Sequence, residues 1–248
     1  MGTLSRYMGA SFGQQLRPVL EHHYGPEQHG FRKGHSTVSL LHILEAVIHT
    51  STTTKAEVVI VQIDVAKAFD KVHRDASANF SKQIIAAAPP QAAAFIDIMY
   101  DSDAVVLKYG RASTTISLRS GIRQGDPLSP ALFSALLGHI LGALISNWRI
   151  KGWGATLDPT DPSNRITVLA YADDVTVFAA TTRQAGELQE DVPGALMRIN
   201  PPLLPRIATL FCSSKAPIWS AATNVIPAAA STTNTPTLAL RCPRLTPQ

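Results

Sequence analysis

The sequence predicts an α+β fold, an antiparallel sheet covered by helices on one face, and three stretches carry that expectation. The run Val58-Val59-Ile60-Val61-Gln62-Ile63 is almost continuously apolar and β-branched, as in a strand buried on both faces. Two further runs rich in strand-forming residues, 166–169 and 175–178, flank Tyr171-Ala172-Asp173-Asp174 and read as a hairpin. Leu132, Phe133, Leu136, Leu137, Ile140, Leu141, Leu144 and Ile145 recur at helical spacing, an apolar stripe suited to docking on a sheet.

The other elements follow in chain order. Helices are predicted near 10–23 and 36–49, then a strand at 57–64, then a helix over 75–99 bent or broken at Pro89-Pro90. Strands near 103–109 and 113–118 precede a loop and helix at 120–147, with Ser129 placed as N-cap and Pro130 as first helical residue. The acidic hairpin takes 165–180. A last helix, 182–198, turns Glu187, Glu190 and Asp191 to solvent.

Two adjacent carboxylates beside a core are expensive unless a cation neutralises them, so Asp173 and Asp174 suggest a metal-binding hairpin. A turn in which both merely face water is the plainer alternative. Asp64 ends the run 58–63, where its carboxylate would emerge to meet Asp173 and Asp174. Three carboxylates there can hold two Mg2+ ions about 3.5–4 Å apart, the arrangement that clamps attacking and leaving oxygens in phosphoryl transfer. Phe69 lies one helical turn beyond Asp64, either a core aromatic or a ring under a nucleotide sugar. In the loop Ser120-Gly121-Ile122-Arg123-Gln124-Gly125-Asp126-Pro127-Leu128-Ser129-Pro130, Arg123 and Gln124 offer donors to a phosphate or base edge, and Gly125 permits close approach of a ligand. An ordinary turn contains the same residue types.

Taken together, these segments resemble the palm of reverse transcriptases, the kind encoded by non-LTR retrotransposons and related to group II intron enzymes. Gln62 to Val72 matches the family's first palm motif, Gly121 to Pro130 the second, and Leu169-Ala170-Tyr171-Ala172-Asp173-Asp174 the third. Upstream, Gln28-His29-Gly30-Phe31-Arg32-Lys33-Gly34-His35-Ser36-Thr37 resembles the fingers motif that precedes the palm. Four segments in the family's order make the combination specific.

The resemblance implies a right-hand polymerase palm over 57–200, partial fingers over 1–56, and a separate tail over 201–248. It implies Asp64, Asp173 and Asp174 as carboxylate ligands of two Mg2+ ions, with Mn2+ as a substitute and Asp64 and Asp173 the more direct ligands. Phe69 would be the aromatic gate that favours deoxynucleotides. Gln124 and Gly125 would line the incoming nucleotide, and backbone amides of Val65, Ala66, Lys67 and Ala68 would receive its triphosphate. Arg32, Lys33 and Arg123 are the candidates for phosphate or template contacts, with solvated surface groups as the plain alternative. The implied partners are an RNA template, a DNA primer and dNTPs, and the implied reaction is attack of the primer 3′-hydroxyl on the α-phosphate with loss of pyrophosphate.

The chain also departs from the family pattern. Only Met1 to Glu27 precede the fingers match, so part of the triphosphate grip is expected to be missing. Ala195-Leu196-Met197-Arg198-Ile199-Asn200 resembles the start of the next palm motif, but Pro201 and Pro202 interrupt it, and Lys215 does not fit the place of that motif's lysine. Residues 201–248 hold eight of the seventeen prolines and no Asp or Glu. They read as a disordered Pro/Ala/Thr-rich tail where the family would place a thumb. Two readings therefore stand side by side: an active RNA-directed DNA polymerase, and a catalytically inactive, truncated retroelement remnant that at most binds nucleic acid. A relative copying RNA into RNA is a third reading, disfavoured by Phe69 and by Tyr171-Ala172.

Arg206, Lys215, Arg241 and Arg244 supply the whole net charge of +4, which leaves residues 1–200 electrically balanced. A balanced body predicts weak template binding unless local basic patches compensate. Cys212 and Cys242 both fall in the tail, which argues against a disulfide-linked partner and a zinc cluster and for a reducing, intracellular location, nuclear or cytoplasmic. The start of the chain lacks the pattern of a signal peptide, and the apolar stretch 131–145 is too short to span a bilayer. His22, His23, His29 and His35 have no acidic partner in sequence and read as surface residues.

Overall fold

The computed structural model describes residues 3–64, 68–72, 74–101, 104–117, 121–122, 127–196, 206–212, 218–225 and 238–241. Helices α1 (Thr3–Tyr24) and α2 (Thr37–Thr54) lead into strand β1 (Val58–Asp64), followed by one helical turn, α3 (Ala68–Lys71). Helices α4 (Arg74–Ala87) and α5 (Pro90–Asp101) are separate, because the Pro89-Pro90 pair ends the first and starts the second. Next come β2 (Ala104–Tyr109), β3 (Ala112–Ser117), α6 (Ser129–Ile150), β4 (Ala155–Asp158), β5 (Asp161–Ile166), β6 (Val168–Tyr171), β7 (Asp174–Ala179) and α7 (Thr182–Leu196).

After α7 come β8 (Arg206–Cys212), β9 (Ile218–Val225) and β10 (Leu238–Arg241), and the main sheet runs β10-β9-β8-β1-β7-β6, with every strand pair antiparallel. Strand alternation sends Val59, Val61, Ile63, Val168, Ala170, Val175 and Val177 to one face, where they join the main core with Leu16, Leu20, Ile84, Ile96, Leu137, Trp148 and Leu188 from five helices. Most of the predicted α6 stripe is buried there. The opposite face is divided. Val58, Ile60, Leu169 and Phe178 are covered by α2 through Val47 and by Ala155 of β4, whereas Gln62 and Asp64, further along β1, are exposed. The helical layer thus lies mainly on one face, and the second face is left open at the end that carries the acids.

Several expectations change. The tail is not uniformly without structure: β8 (Arg206–Cys212), β9 (Ile218–Val225) and β10 (Leu238–Arg241) extend the sheet, and β8 pairs with β1 along its full length. The reason is the second edge of β1, whose N–H and C=O groups need a partner that Arg206-Ile207-Ala208-Thr209-Leu210-Phe211-Cys212 can supply. Helix α6 is entered one residue earlier than predicted, with Leu128 at the cap position and Ser129 already helical and buried. At 22 residues, α6 is long and apolar enough to cross a membrane by length and composition. The stretch 131–145 understated it because Trp148 and Ile150 continue the helix. Here it is a core helix, packed on α1 and α7, with Trp148 fully buried. The β4–β5 hairpin was not foreseen.

Candidate active site

Strands β1 and β7 bring the first and third motifs together. Their register sets Asp64 directly opposite Asp174, and Asp173 sits in the two-residue turn between β6 and β7. Cross-strand partners share a face, so the Asp64 and Asp174 side chains emerge on the open face of the sheet. Burial, and then the charges of Asp173 and Asp64, push the Asp174 carboxyl above its ordinary value. That perturbation marks a concentrated negative site of hard oxygen donors, the chemistry that suits Mg2+ or Mn2+. Among the described residues no three His, Cys, Asp or Glu side chains converge closely enough to enclose an ion. The carboxylates share one end of the sheet without forming a closed cage.

The second motif is tied to the first by backbone. Gly121 N–H donates to Val72 C=O and Ile122 N–H to Phe69 C=O, both at 2.8 Å. Gly121 takes φ +96°, open to glycine, and a Cβ there would press on the Asp70 carbonyl oxygen at 3.2 Å. The Phe69 ring is half-buried and packs on Phe133 of α6, centroids 4.4 Å apart. It is a core contact on its inner side. Ala68 opens α3. Val65, Ala66, Lys67, Arg123, Gln124 and Gly125 lie outside the described residues, as do 197–200 and Lys215.

The fingers motif lies against the acidic turn. His29 N–H donates to Ala170 C=O at 2.7 Å and Ala170 N–H to Glu27 C=O at 2.9 Å, placing residues 27–30 beside β6. Within this segment Gln28, 1% exposed, hydrogen-bonds Ala172 of the turn through its side chain. Sequence reasoning did not single out Gln28. A glutamine two residues before a glycine was the available signal, and only the fold shows that it is buried and what it faces.

Arg32 is committed to the fold. Its guanidinium pairs with Glu21, donates to the carbonyls of Gly25 and Gln28 at 2.8 Å, and lies 5.2 Å from the Tyr24 ring centroid. Lys33 is exposed. The histidines are not all surface groups. His29 is buried with its ring edge-on to His35, and His23 packs on Phe80 and His139, because both α1 and the fingers segment bury a face against the palm. Asp191 on α7 likewise has a buried partner, accepting from Trp148 Nε1 at 2.9 Å. A cavity of about 290 Å³ opens beside Asp174, between Gln62 and Tyr171 on the sheet and Leu40 and Leu44 on α2.

Comparison with known proteins identifies the family and the fold. The family described as "Reverse transcriptase (RNA-dependent DNA polymerase)" matches residues 2–200. The chain belongs to the reverse transcriptase family. This reverse transcriptase domain is 29% identical over 174 residues to a retrovirus-related Pol polyprotein from the type-1 retrotransposable element R2 of Popillia japonica, covering 69% of this chain and 23% of that protein. It is 27% identical over 180 residues to the Pol polyprotein from the type-2 element R2DM of Drosophila melanogaster, covering 72% of this chain and 16% of that protein. These relatives place it with the non-LTR retroelement enzymes that its motifs resemble. The chain spans under a quarter of the length of either. In fold it is similar to the apo telomerase of Candida tropicalis truncated from its C-terminal domain, with a TM-score of 0.58 at 11% identity, over 94% of this chain and 44% of that one. Telomerase from Candida albicans, solved with a fragment of telomeric RNA, is similar at TM-score 0.55 and 11% identity, over 91% of this chain and 39% of that one. The right-hand polymerase fold is therefore shared across a wide sequence distance.

Proposed function

We propose that this reverse transcriptase domain is an active RNA-directed DNA polymerase that adds dNTPs to the 3′-hydroxyl of a DNA primer paired with an RNA template. The observation that supports this most directly is the facing of Asp64 and Asp174 across β1 and β7, with Asp173 in the adjoining turn, on the uncovered end of the sheet. Asp64, Asp173 and Asp174 are the residues to hold two Mg2+ ions. Bound there, the ions would favour ionisation of the primer hydroxyl and offset charge on the leaving pyrophosphate.

The remaining residues position reactants. Phe69, whose ring packs on Phe133, is the residue that would crowd a ribose 2′-hydroxyl. Backbone amides of Val65 to Ala68 would receive the triphosphate, with Gln124 and Gly125 beside the base and sugar and Arg123 and Lys33 at phosphates. The cavity between Tyr171, Gln62 and α2 adjoins Asp174 and would offer the primer terminus a mostly apolar floor.

The test is primer extension on an RNA template with dNTPs and Mg2+, comparing the chain with the Asp173→Ala, Asp174→Ala double variant. Extension by the parent alone supports the reading. No extension by a folded parent that binds Mg2+ overturns it in favour of a non-catalytic remnant.

A further inference from the structure

We infer that Gln28, in the segment before the palm, is a positioning residue for the metal-binding turn, acting through the backbone of Ala172. The inference rests on the polymerase reading above, in that Asp173 and Asp174 are the groups positioned.

Ala172 is the strained member of the turn. It takes φ +55°, in the left-handed region that a residue with a Cβ enters only against steric resistance. Nothing in Ala172 itself favours that conformation, so its surroundings must impose it. Gln28 supplies the constraint from both sides. Its Oε1 accepts from Ala172 N–H at 2.9 Å while its Nε2 donates to Ala172 C=O at 3.0 Å. The same Oε1 accepts from Gly30 N–H at 2.8 Å, which holds the side chain itself in place.

One primary amide therefore grips both polar groups of a single residue. Ala172 C=O belongs to the peptide plane that carries Asp173 N–H, so fixing that carbonyl fixes the plane from which Asp173 departs and β7 begins. A primary amide suits this role at neutral pH, because the grip needs a donor and an acceptor on one planar, uncharged group. Gly30 completes the seat. A Cβ there would run into the Ala172 nitrogen and come within 2.9 Å of its Cα, so backbone packs on backbone with no room between. With Gln28 and Ala172 both buried, water does not substitute for the lost bonds.

The inference separates from general stability by a suppressor. Glycine accepts positive φ without strain, so Ala172→Gly makes the turn less dependent on Gln28. Four proteins are compared as full chains: parent, Gln28→Met, Ala172→Gly and the double variant. We expect Gln28→Met, similar in shape but without the bonds, to lower kcat about 10- to 100-fold and to raise the Mg2+ concentration for half-maximal rate several-fold. Primer–template affinity should stay within about twofold. The double variant should recover at least a third of the logarithmic loss in kcat, as coupled positions do. Hydrogen exchange over 168–178 should quicken in Gln28→Met whether or not the protein is active.

Unchanged exchange, or quickened exchange with unchanged kcat and Mg2+ dependence, overturns the inference. So does a loss of kcat that Ala172→Gly leaves untouched and that tracks a fall in primer–template binding. If the parent fails to extend a primer, the polymerase reading fails by itself, and Mn2+ titration together with exchange decides the clamp: weaker Mn2+ binding in Gln28→Met supports it and equal binding overturns it.

Discussion

Asp174 shows at the scale of one residue why the acid site asks for a cation. Its carboxyl is pushed up by burial and by two neighbouring negative charges, an electrostatic cost that bound Mg2+ would relieve. Mg2+ should therefore raise the melting temperature of the chain. At tenfold its Kd the ion stabilises by about 1.4 kcal/mol, a shift of roughly 3–5 °C for a domain of this size. The Asp173→Asn, Asp174→Asn variant should lose that shift while melting no lower than the parent without metal, and a shift retained in full would place the ion elsewhere. His29 gives a second residue-scale expectation. Burial first, then His35 and Arg32, lower its pKa below 6.5, so the folded state disfavours the proton that the unfolded chain accepts. The stability it permits is present above the ordinary histidine pKa and is lost as pH falls through 6.5 toward the lowered value. His23 is lowered in the same direction, by burial and then His139 and His22. Melting curves from pH 8 to pH 5 should fall on the acid side, and His29→Asn should flatten part of that slope.

At the scale of elements, α1 and α6 approach each other closely at Gly138. A Cβ on Gly138 would come within 2.8 Å of the His23 carbonyl oxygen and the Tyr24 carbonyl carbon, both backbone atoms with little freedom to yield. Gly138→Ala should therefore destabilise by about 1–3 kcal/mol through overpacking, in spite of alanine's better helix propensity, and chemical denaturation would measure it. Helix α7 is tied to α6 by Asp191 and the Trp148 indole. Asp191→Ala leaves a buried N–H unpaired and should cost about 1–3 kcal/mol, whereas Asp191→Asn, which keeps an acceptor, should cost less. Periodicity alone placed α6 and α7 correctly but turned Asp191 to water, since a helical pattern reports a face and not the neighbour that reaches across to it.

For the whole molecule, the sheet depends on residues beyond the family match. Strand β8 covers the second edge of β1 from Val58↔Cys212 to Asp64↔Arg206. A chain ending at residue 200 would turn the apolar central strand into an open edge, and we expect it to self-associate and melt lower than the full chain. Light scattering and thermal melting test this, and an equally stable monomer would show that β8 is dispensable.

The sequence by itself determined most of the element order from α1 to α7, with the short α3 and the β4–β5 hairpin excepted, together with the apolar faces and the acids at Asp64, Asp173 and Asp174, because periodicity and strand propensity are local properties of the chain. Tertiary structure alone decided the facing of Asp64 and Asp174, which is a register between strands over a hundred residues apart. It also decided the grip of Gln28 on Ala172, the burial of His29, and the recruitment of β8 from a segment whose Pro/Ala/Thr-rich composition read as a disordered tail. Each of these depends on a partner distant in sequence. Such partners become visible only when backbone groups that need hydrogen bonds, and side chains that need burial, are brought together in one packed molecule.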